Sequence, residues 1–169
     1  MLLLNTSTQQ NKGFTLIELI VVIIIMGILS VTVLPNFFTS KGYEEYSYRG
    51  EVITKLRSIQ LRAMQQSSAQ APCVALDNDH LGVPSVFLSS CTGAFSFDSD
   101  YGQNVDDTLE VKVDSNHQVV FSMDTGSVPF GFDKWGKPTT GCSGGCVIAI
   151  QGQDLLKIQI ESEGYIHVL

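Results

Sequence analysis

Positively charged side chains are scarce in this chain of 169 residues. Ten lysines and arginines stand against 17 aspartates and glutamates, which gives a formal net charge of −7. Non-specific binding to nucleic acid depends mainly on Lys and Arg side chains that meet phosphates, so this balance argues against it. The same balance argues against docking on anionic lipid headgroups.

Charge of either sign is missing from Leu19 to Leu34. The wider segment from Phe14 to Leu34 would be about 31 Å long as an α-helix, which matches a hydrocarbon core about 30 Å thick. Glu18 is the one charged side chain in this segment. A carboxylate at membrane depth costs about 2.5 kcal/mol or more, so we expect Glu18 to have a function and a partner.

The first 13 residues are mostly polar, and Lys12 is their only charged residue. A secretory signal peptide is cleaved after its apolar region, whereas here the small residue Gly13 lies before that region. Glycine suits a protease that must approach the backbone closely, because it has no Cβ. Cleavage between Gly13 and Phe14 would leave the apolar helix on the mature chain with a free α-amine.

The segment Lys12-Gly13-Phe14-Thr15-Leu16-Ile17-Glu18, followed by a long apolar helix, resembles the leader junction of type IV pilins and type II secretion pseudopilins. The resemblance implies that a prepilin peptidase cuts after Gly13 and methylates Phe14. It also implies a helical filament that other pilin subunits and an assembly platform build from the inner membrane. Glu18 of an incoming chain would then pair with the Phe14 amine of its neighbour, because each buried charge supplies the other with a partner.

The predicted topology is a single pass through the bacterial inner membrane. Lys12 precedes the span, and Glu44 and Glu45 follow it, which favours a cytoplasmic leader and a C-terminal domain in the periplasm. The predicted order is a cleaved leader (1–13), a transmembrane half-helix (14–34), an amphipathic half-helix (35–72) and a β-rich periplasmic part (73–169). The resemblance implies that the final location of the mature chain is a pilus filament at the cell surface.

Four cysteines lie beyond the predicted span, in a compartment that is oxidising. They allow three pairings, of which we favour Cys73–Cys91 and Cys142–Cys146. The alternative is a zinc site that combines these thiolates with histidines. No C-x-x-C or H-x₃₋₅-H spacing supports it, and the histidines concerned are His80, His117 and His167.

The sequence predicts an α+β fold, with one long N-terminal helix packed on an antiparallel sheet. Apolar residues recur at helical spacing at Val52, Ile53, Leu56, Ile59, Ala63 and Met64. We expect this helix to continue from the span, with a kink near Pro35 or a looser turn at Gly42, and to end at Pro72. We attribute Met64 and the tyrosines at 43, 46 and 48 to core packing and filament contacts.

Short β-type runs follow. The predicted strands are Cys73–Leu76, Ser85–Leu88, Leu109–Val113, Gln118–Met123, Val147–Gln151, Leu155–Ile160 and Tyr165–Val168. Turn residues predict three reversals, at 114–116, at 152–154 and at 161–164.

The C-terminal third resembles the GspH/FimT group of minor pilins and pseudopilins. The resemblance rests on Phe132-Asp133-Lys134-Trp135-Gly136-Lys137-Pro138, on the strands after it and on the glycine turn at Gly164. In that group an F-D-x-x-G-x-P turn leads into paired strands. The whole chain is most similar to the minor pilins of mannose-sensitive haemagglutinin (MSHA) type pili.

The sequence was also searched by motif for a calcium site, a catalytic site and a surface that stacks nucleic-acid bases. The loop Asp98–Asp107 carries four aspartates and begins like a calcium loop, but Gly102 stands where a third ligand belongs. No catalytic arrangement emerges, since Ser89 and Ser90 lack a G-x-S-x-G context. Lys134 and Lys137 beside Trp135 could stack a base, yet the segment 163–169 has no arginine.

The sequence therefore predicts a structural subunit rather than an enzyme, with no cofactor. The favoured function is a minor type IV pilin that primes or joins a filament. The alternatives are a minor pseudopilin of a type II secretion system and a tip-exposed adhesin or DNA-binding minor pilin. Because relatives at the extreme tip often lack the glutamate, Glu18 indicates a place beneath another subunit.

Overall fold

The computed structural model describes residues 14–38, 42–66, 72–85, 90–97 and 109–169, without the side chains of residues 31–38. Its contacts divide the chain into two compact units, Met1–Ser40 and Lys41–Leu169. The predicted leader, residues 1–13, lies outside the described residues.

The first unit contains helix α1, Leu16–Phe38. Thr15 caps it, because its Oγ1 and its carbonyl oxygen both accept the amide of Glu18, at 3.3 and 3.1 Å. Within the described part of the chain, no helix is sufficiently long and apolar to cross a membrane. The side chains of residues 31–34, which belong to the predicted span, are not described.

The second unit begins with helix α2, Glu44–Gln65. Its buried side chains recur every three or four residues, as the predicted stripe requires, and they are Glu45, Tyr48, Val52, Leu56, Ile59 and Ala63. The expected single helix is two elements here, with Gly42 just before α2 at a φ of 136° that side chains avoid. α2 also ends earlier than expected, because Gln66 has an extended backbone.

In the described residues, nine strands form two antiparallel sheets. The five-stranded sheet has the order β3-β2-β1-β5-β6, and the four-stranded sheet has the order β4-β7-β8-β9. The predicted α+β class is confirmed. The strands are β1 (Cys73–Leu76), β2 (His80–Gly82), β3 (Glu110–Lys112), β4 (Val120–Thr125), β5 (Phe130–Phe132), β6 (Pro138–Thr140), β7 (Cys146–Gln151), β8 (Leu155–Ile160) and β9 (Ile166–Val168).

The structure differs from parts of the predicted strand layout. Of the predicted strand Ser85–Leu88, Ser85 lies in a bend and residues 86–88 fall outside the described ranges. β2 was not predicted, and it pairs with β1. The turn at 114–116 does reverse the chain, since Asp114 accepts the amides of Asn116 and His117. It forms no hairpin, however, because β3 pairs with β2 while β4 pairs with β7. The short strands β5 and β6 were not predicted as separate strands.

The two later hairpins are confirmed. β7 pairs with β8 in a register that sets Ile148 against Ile158 and Ile150 against Leu156. β8 then pairs with β9 through Ile160 and Ile166. Buried and partly exposed residues alternate along β8, as a strand with one wet face requires.

The core lies between α2 and the two sheets. Val52, Leu56 and Ile59 of α2 are fully buried. Complete burial of one such side chain contributes about 1.5–3 kcal/mol. The largest fully buried partners on the strands are Leu81, Phe121, Phe130, Phe132, Ile148, Ile150, Ile158 and Ile160. One core therefore serves both sheets.

One side chain of α2 joins the two sheets at their turns. The Nε2 atom of Gln60 donates to the carbonyl oxygen of Gly136, between β5 and β6, and to that of Gly164, between β8 and β9, at 2.7 Å each. The turns touch so closely that a Cβ on Gly164 would lie 2.1 Å from the Gly136 carbonyl oxygen. Gly164 also has a φ of +92°, so glycine is required there for two reasons.

We expect Gly164→Ala to lower the free energy of unfolding by roughly 3 kcal/mol, because the new methyl group meets a carbonyl and the backbone is strained. Gly144→Ala is the matched control, since nothing lies within 4 Å of a Cβ at Gly144 and exposed substitutions usually stay within about 0.5 kcal/mol. Thermal unfolding followed by circular dichroism measures both. Equal unfolding temperatures for the two variants would show that the turns do not meet as described.

Candidate subunit-assembly site

The start of α1 places Glu18 in its first turn. Thr15 is the N-cap and Glu18 stands three residues later, so the pair has the spacing of a capping box. A carboxylate there also faces the positive end of the helix dipole. This second role was not predicted from the sequence, although the spacing T-x-x-E signals it.

The described side chains of the first unit form an apolar surface. Every residue from Phe14 to Ser30 is exposed, including Phe14 itself, which is 86% exposed. An apolar surface of this extent marks contact with a membrane or with other chains. Glu18 therefore lies on a surface that we expect a membrane or another chain to cover.

The turn between β5 and β6 is held by Asp133 and not by its tryptophan. One carboxylate oxygen of Asp133 accepts the amides of Trp135 and Lys137, at 2.8 and 2.9 Å. The Trp135 ring is 71% exposed, and Lys134 lies over it with Nζ 5.3 Å from the ring centroid. The hydrogen bonds of this turn therefore come from Asp133, and the Trp135 ring lies at the surface.

Tyr165 lies just before the last strand, β9, and His167 lies on it. Their rings stack at a centroid distance of 5.0 Å, and His167 Nε2 lies 3.0 Å from a carboxylate oxygen of Glu161. The hydrogen bonds to Glu161 and to the Val168 carbonyl raise the pKa of His167 above its ordinary value. The contact with His167 and then that with Gln159 lower the pKa of Glu161. Lys137, after the turn between β5 and β6, pairs with Glu163 in the turn between β8 and β9.

The start of α2 holds the turn between β7 and β8. Glu45 is buried, and its carboxylate accepts the amide of Asp154 at 3.2 Å. The hydroxyl of Tyr46 donates to Asp154 at 3.0 Å, and this hydrogen bond raises the pKa of Tyr46. Gly152 packs so tightly that a Cβ would lie 2.7 Å from Glu45. Tyr43 beside this turn is 77% exposed.

The remaining histidines make separate contacts. His80 lies 2.9 Å from Asp79 and 3.7 Å from Glu110, and its ring stacks on Phe97. His117 Nδ1 lies 2.8 Å from the Tyr48 hydroxyl. Among the described residues, no group of three or more His, Cys, Asp or Glu is arranged to hold a metal ion. The predicted acidic loop 98–107 lies outside those residues.

The cysteines are joined as the disulfides Cys73–Cys91 and Cys142–Cys146, which is the favoured pairing. Cys73 lies on β1, in the five-stranded sheet, and Cys146 begins β7, in the four-stranded sheet. Each sheet is therefore tied to a neighbouring loop by a covalent bond. Because all four sulfur atoms are in disulfides, the thiolates of the alternative zinc site are not present.

Comparison with known proteins bears on the N-terminal segment. Residues 8–34 match the family described as "Prokaryotic N-terminal methylation motif". This chain carries that methylation motif. The matched range contains Gly13, Phe14 and Glu18, the three residues on which the sequence resemblance depends.

A curated relative supports the same family. Type II secretion system core protein G of Klebsiella pneumoniae is 38% identical over 52 residues, which cover 31% of this chain and 35% of that protein. The chain thus spans about a third of that relative. No solved structure matches the chain significantly. With the methylation motif, the relative supports a structural subunit of the pilin and pseudopilin kind, a non-enzymatic group of proteins.

The structure brings together several residues that the sequence marked separately. Trp135 and Tyr165 belong to turns that touch through Gly136 and Gly164, and Leu61 and Met64 line a groove with Tyr165. Gln60, which holds these turns, was not singled out by the sequence. Its position within the helical stripe, between Ile59 and Ala63, was the available signal.

We expect Glu161→Gln to lower the pKa of His167, because the anionic acceptor that favours the imidazolium is removed. The raised pKa of His167 means that this ion pair stabilises the fold fully below the ordinary histidine pKa of about 6.5, and that the stabilisation is lost as pH rises through the raised value. The lowered pKa of Glu161 means that the stabilisation is present above the ordinary carboxyl pKa and is lost as pH falls through the lowered value. NMR titration of the imidazole protons measures the shift.

The matched control for this titration is Glu163→Gln, because Glu163 pairs with Lys137. It should leave the pKa of His167 unchanged. An unchanged pKa in Glu161→Gln, or an equal shift in both variants, would contradict the assigned contact.

Proposed function

We propose that this chain is a subunit of a type IV pilin-like filament, released from its leader between Gly13 and Phe14 and methylated on Phe14. The observation that carries the proposal is the methylation motif over residues 8–34, with Glu18 in the first turn of an exposed apolar helix. A prepilin peptidase would process the chain, and an assembly platform in the inner membrane would add it to the other subunits.

Membrane residence explains the exposed surface of α1. Its described side chains are apolar except for Thr15, Glu18 and Ser30, and the Ser30 hydroxyl donates to the Met26 carbonyl oxygen of the same helix. Lipid would cover this surface before assembly, and neighbouring helices would cover it in the filament. The disulfides suit an oxidising periplasm for the second unit.

Glu18 would pair with the Phe14 amine of an adjacent subunit. An isolated carboxylate and an isolated ammonium are both unfavourable in lipid, so docking that joins them removes two penalties at once. The pairing would also fix the axial position of each new subunit. The presence of Glu18 favours a position beneath another subunit, in the priming complex or the shaft.

Two kinds of filament remain as candidates. The GspH/FimT-like turn at Phe132–Pro138 favours a minor subunit of either system, and Asp133, Gly136 and Pro138 lie in one turn that leads into β6. The match to a type II secretion core protein favours a pseudopilin. Neither match singles out the MSHA-type minor pilins. The genes that neighbour this one would separate the two systems.

A ligand-binding role has one observation in its favour. Lys134 and the exposed Trp135 ring form a small basic and aromatic surface, on which a base or a sugar could stack. A role as a DNA receptor or adhesin would require salt-sensitive binding of DNA or glycan to the purified protein. The excess of carboxylates argues against DNA.

We expect Glu18→Gln to leave leader cleavage intact and to abolish recovery of this chain in filaments sheared from cells. Glutamine preserves the capping box, which accepts Glu or Gln, but removes the charge. The substitution therefore separates the cap from the proposed pairing. Immunoblots of the membrane and sheared fractions measure processing and incorporation.

Glu51→Gln is the matched control, because Glu51 is an exposed carboxylate on α2. The Glu51→Gln chain should be incorporated into filaments normally. Normal recovery of Glu18→Gln in filaments would contradict the charge pairing. Absence of the unsubstituted chain from every filament fraction, together with an uncleaved leader, would contradict the proposed function itself.

A further inference from the structure

We propose that the start of α2 binds the headgroup of a zwitterionic phospholipid. The site is the tyrosine groove, defined as Gly42, Tyr43, Tyr46, Gln153 and Asp154. Binding at this groove rests on the proposed function, since it needs a chain that is anchored in a membrane by α1. It adds a lipid contact of the second unit to the lipid that covers α1.

The tyrosine groove displays two aromatic rings above a fixed base. Its volume is about 530 Å³, which lies in the range of small-molecule sites. Tyr43 is 77% exposed and Tyr46 is 41% exposed. Beneath them the buried carboxylate of Glu45 accepts the amide of Asp154, which joins α2 to the turn between β7 and β8. The rings are therefore held in place by polar contacts below them and stay at the surface.

Exposed tyrosine rings suit the interface between a membrane and water. Tyrosine combines an apolar ring with a polar tip, and it is enriched where lipid headgroups begin. The face of such a ring also attracts organic cations, among them the choline ammonium. Tyr46 already shows this property, because the guanidinium carbon of Arg49 lies 5.2 Å from its ring centroid. The more exposed Tyr43 ring can receive the ammonium of a lipid in the same way.

Charges of both signs flank the two rings. Asp154 lies in the groove, and Glu44 lines the adjoining cavity. Cations are present as well, since Arg49 lies over the Tyr46 ring and His117 lies 3.8 Å from Glu44. A zwitterionic headgroup offers its ammonium to the carboxylates and its phosphate to Arg49, whereas an anionic headgroup without an ammonium leaves the carboxylates facing like charge. The mixed charges therefore favour a zwitterionic lipid.

The chain cannot carry the tyrosine groove far from the membrane. Leu34 is the last residue of the predicted span, and α1 is helical as far as Phe38. Residues 35–38 add about 6 Å, and the five further residues to Tyr43 add at most about 18 Å. Tyr43 thus stays within about 24 Å of the hydrocarbon edge, beside a headgroup layer about 5–7 Å thick. This tether raises the effective concentration of headgroups at the groove, which favours a lipid over a dilute soluble ligand.

Tryptophan fluorescence tests the contact in the full chain. Trp135 is the single tryptophan, and Asp133 holds its turn, so Trp135→Phe removes the native fluorophore without loss of a turn hydrogen bond. Adding Tyr43→Trp to this chain places the reporter in the groove. Both the double variant and the unsubstituted chain are reconstituted in phosphatidylcholine vesicles that contain a lipid with a nitroxide on its headgroup.

We expect the nitroxide to quench the groove reporter several-fold more strongly than it quenches Trp135. The turn of Trp135 touches Met64 through Gly136, and Met64 follows Tyr43 by 21 residues, or about 31 Å along a helix. The two reporters therefore sample opposite ends of α2. Nitroxide quenching has a short range, so the unsubstituted chain is the control for position.

A second pair of vesicles tests which headgroup is bound. Phosphatidylglycerol keeps the phosphate but lacks the ammonium, and it should reduce quenching of the groove reporter by about five-fold. Asp154→Asn should narrow this difference, because it removes the carboxylate of the groove and keeps an acceptor for the Tyr46 hydroxyl. Asp124→Asn is the matched control, since Asp124 is an exposed carboxylate on β4 that pairs with Lys157, and it should leave the difference unchanged.

Quenching that depends on phosphatidylcholine and on Asp154 supports the lipid contact. Equal quenching in the two kinds of vesicle overturns it, because the groove would then not distinguish an ammonium. Absence of quenching at the groove also overturns it and leaves another subunit as the occupant. Flotation of the chains with the vesicles is scored separately. A chain that floats without quenching contradicts the lipid contact alone, whereas a chain that does not float contradicts the proposed function as well.

Discussion

The amide of Gln60 fixes where the two sheets of the second unit meet. Its two donors reach carbonyl oxygens in the β5–β6 turn and the β8–β9 turn, and these turns belong to different sheets. No strand pairing joins the described sheets to each other, so α2 and its shared core must hold them together. A half-buried amide that satisfies two backbone acceptors contributes about 1–3 kcal/mol, and it also fixes where each turn lies. The close approach of Gly136 and Gly164 follows from that position.

Fixed turns allow the surface to display large side chains. Asp133 and Gln60 provide the hydrogen bonds of the β5–β6 turn, which leaves the Trp135 ring free of any structural duty in that turn. The same logic applies at the other end of α2, where Glu45 is buried and holds Asp154 while Tyr43 stays exposed. At both ends a polar side chain inside the fold positions an aromatic side chain outside it. A preorganised surface loses little entropy when a partner binds.

The sequence was informative where periodicity or turn chemistry was strong. The stripe of α2, the β7–β8 and β8–β9 hairpins and the α+β class all follow from spacing and from turn residues. The sequence was misleading where local signals could not specify which strands pair. Asp114 and Asn116 form a good turn, but strand pairing is decided by which sheet buries Val119 and Phe121. β5 and β6 have three residues each, too few for an alternating pattern.

The capping geometry of Glu18 bears on why this position carries a charged side chain. A favourable N-cap arrangement contributes about 1 kcal/mol, and a carboxylate at the start of a helix dipole adds about 0.3–1 kcal/mol. A carboxylate at membrane depth costs about 2.5 kcal/mol or more. The cap alone therefore does not offset the cost, and glutamine could provide it without the charge. What favours glutamate over glutamine must lie outside the isolated helix. An ammonium on a neighbouring chain would be such a partner, because the proposed cleavage before Phe14 would create an amine at the same end of α1.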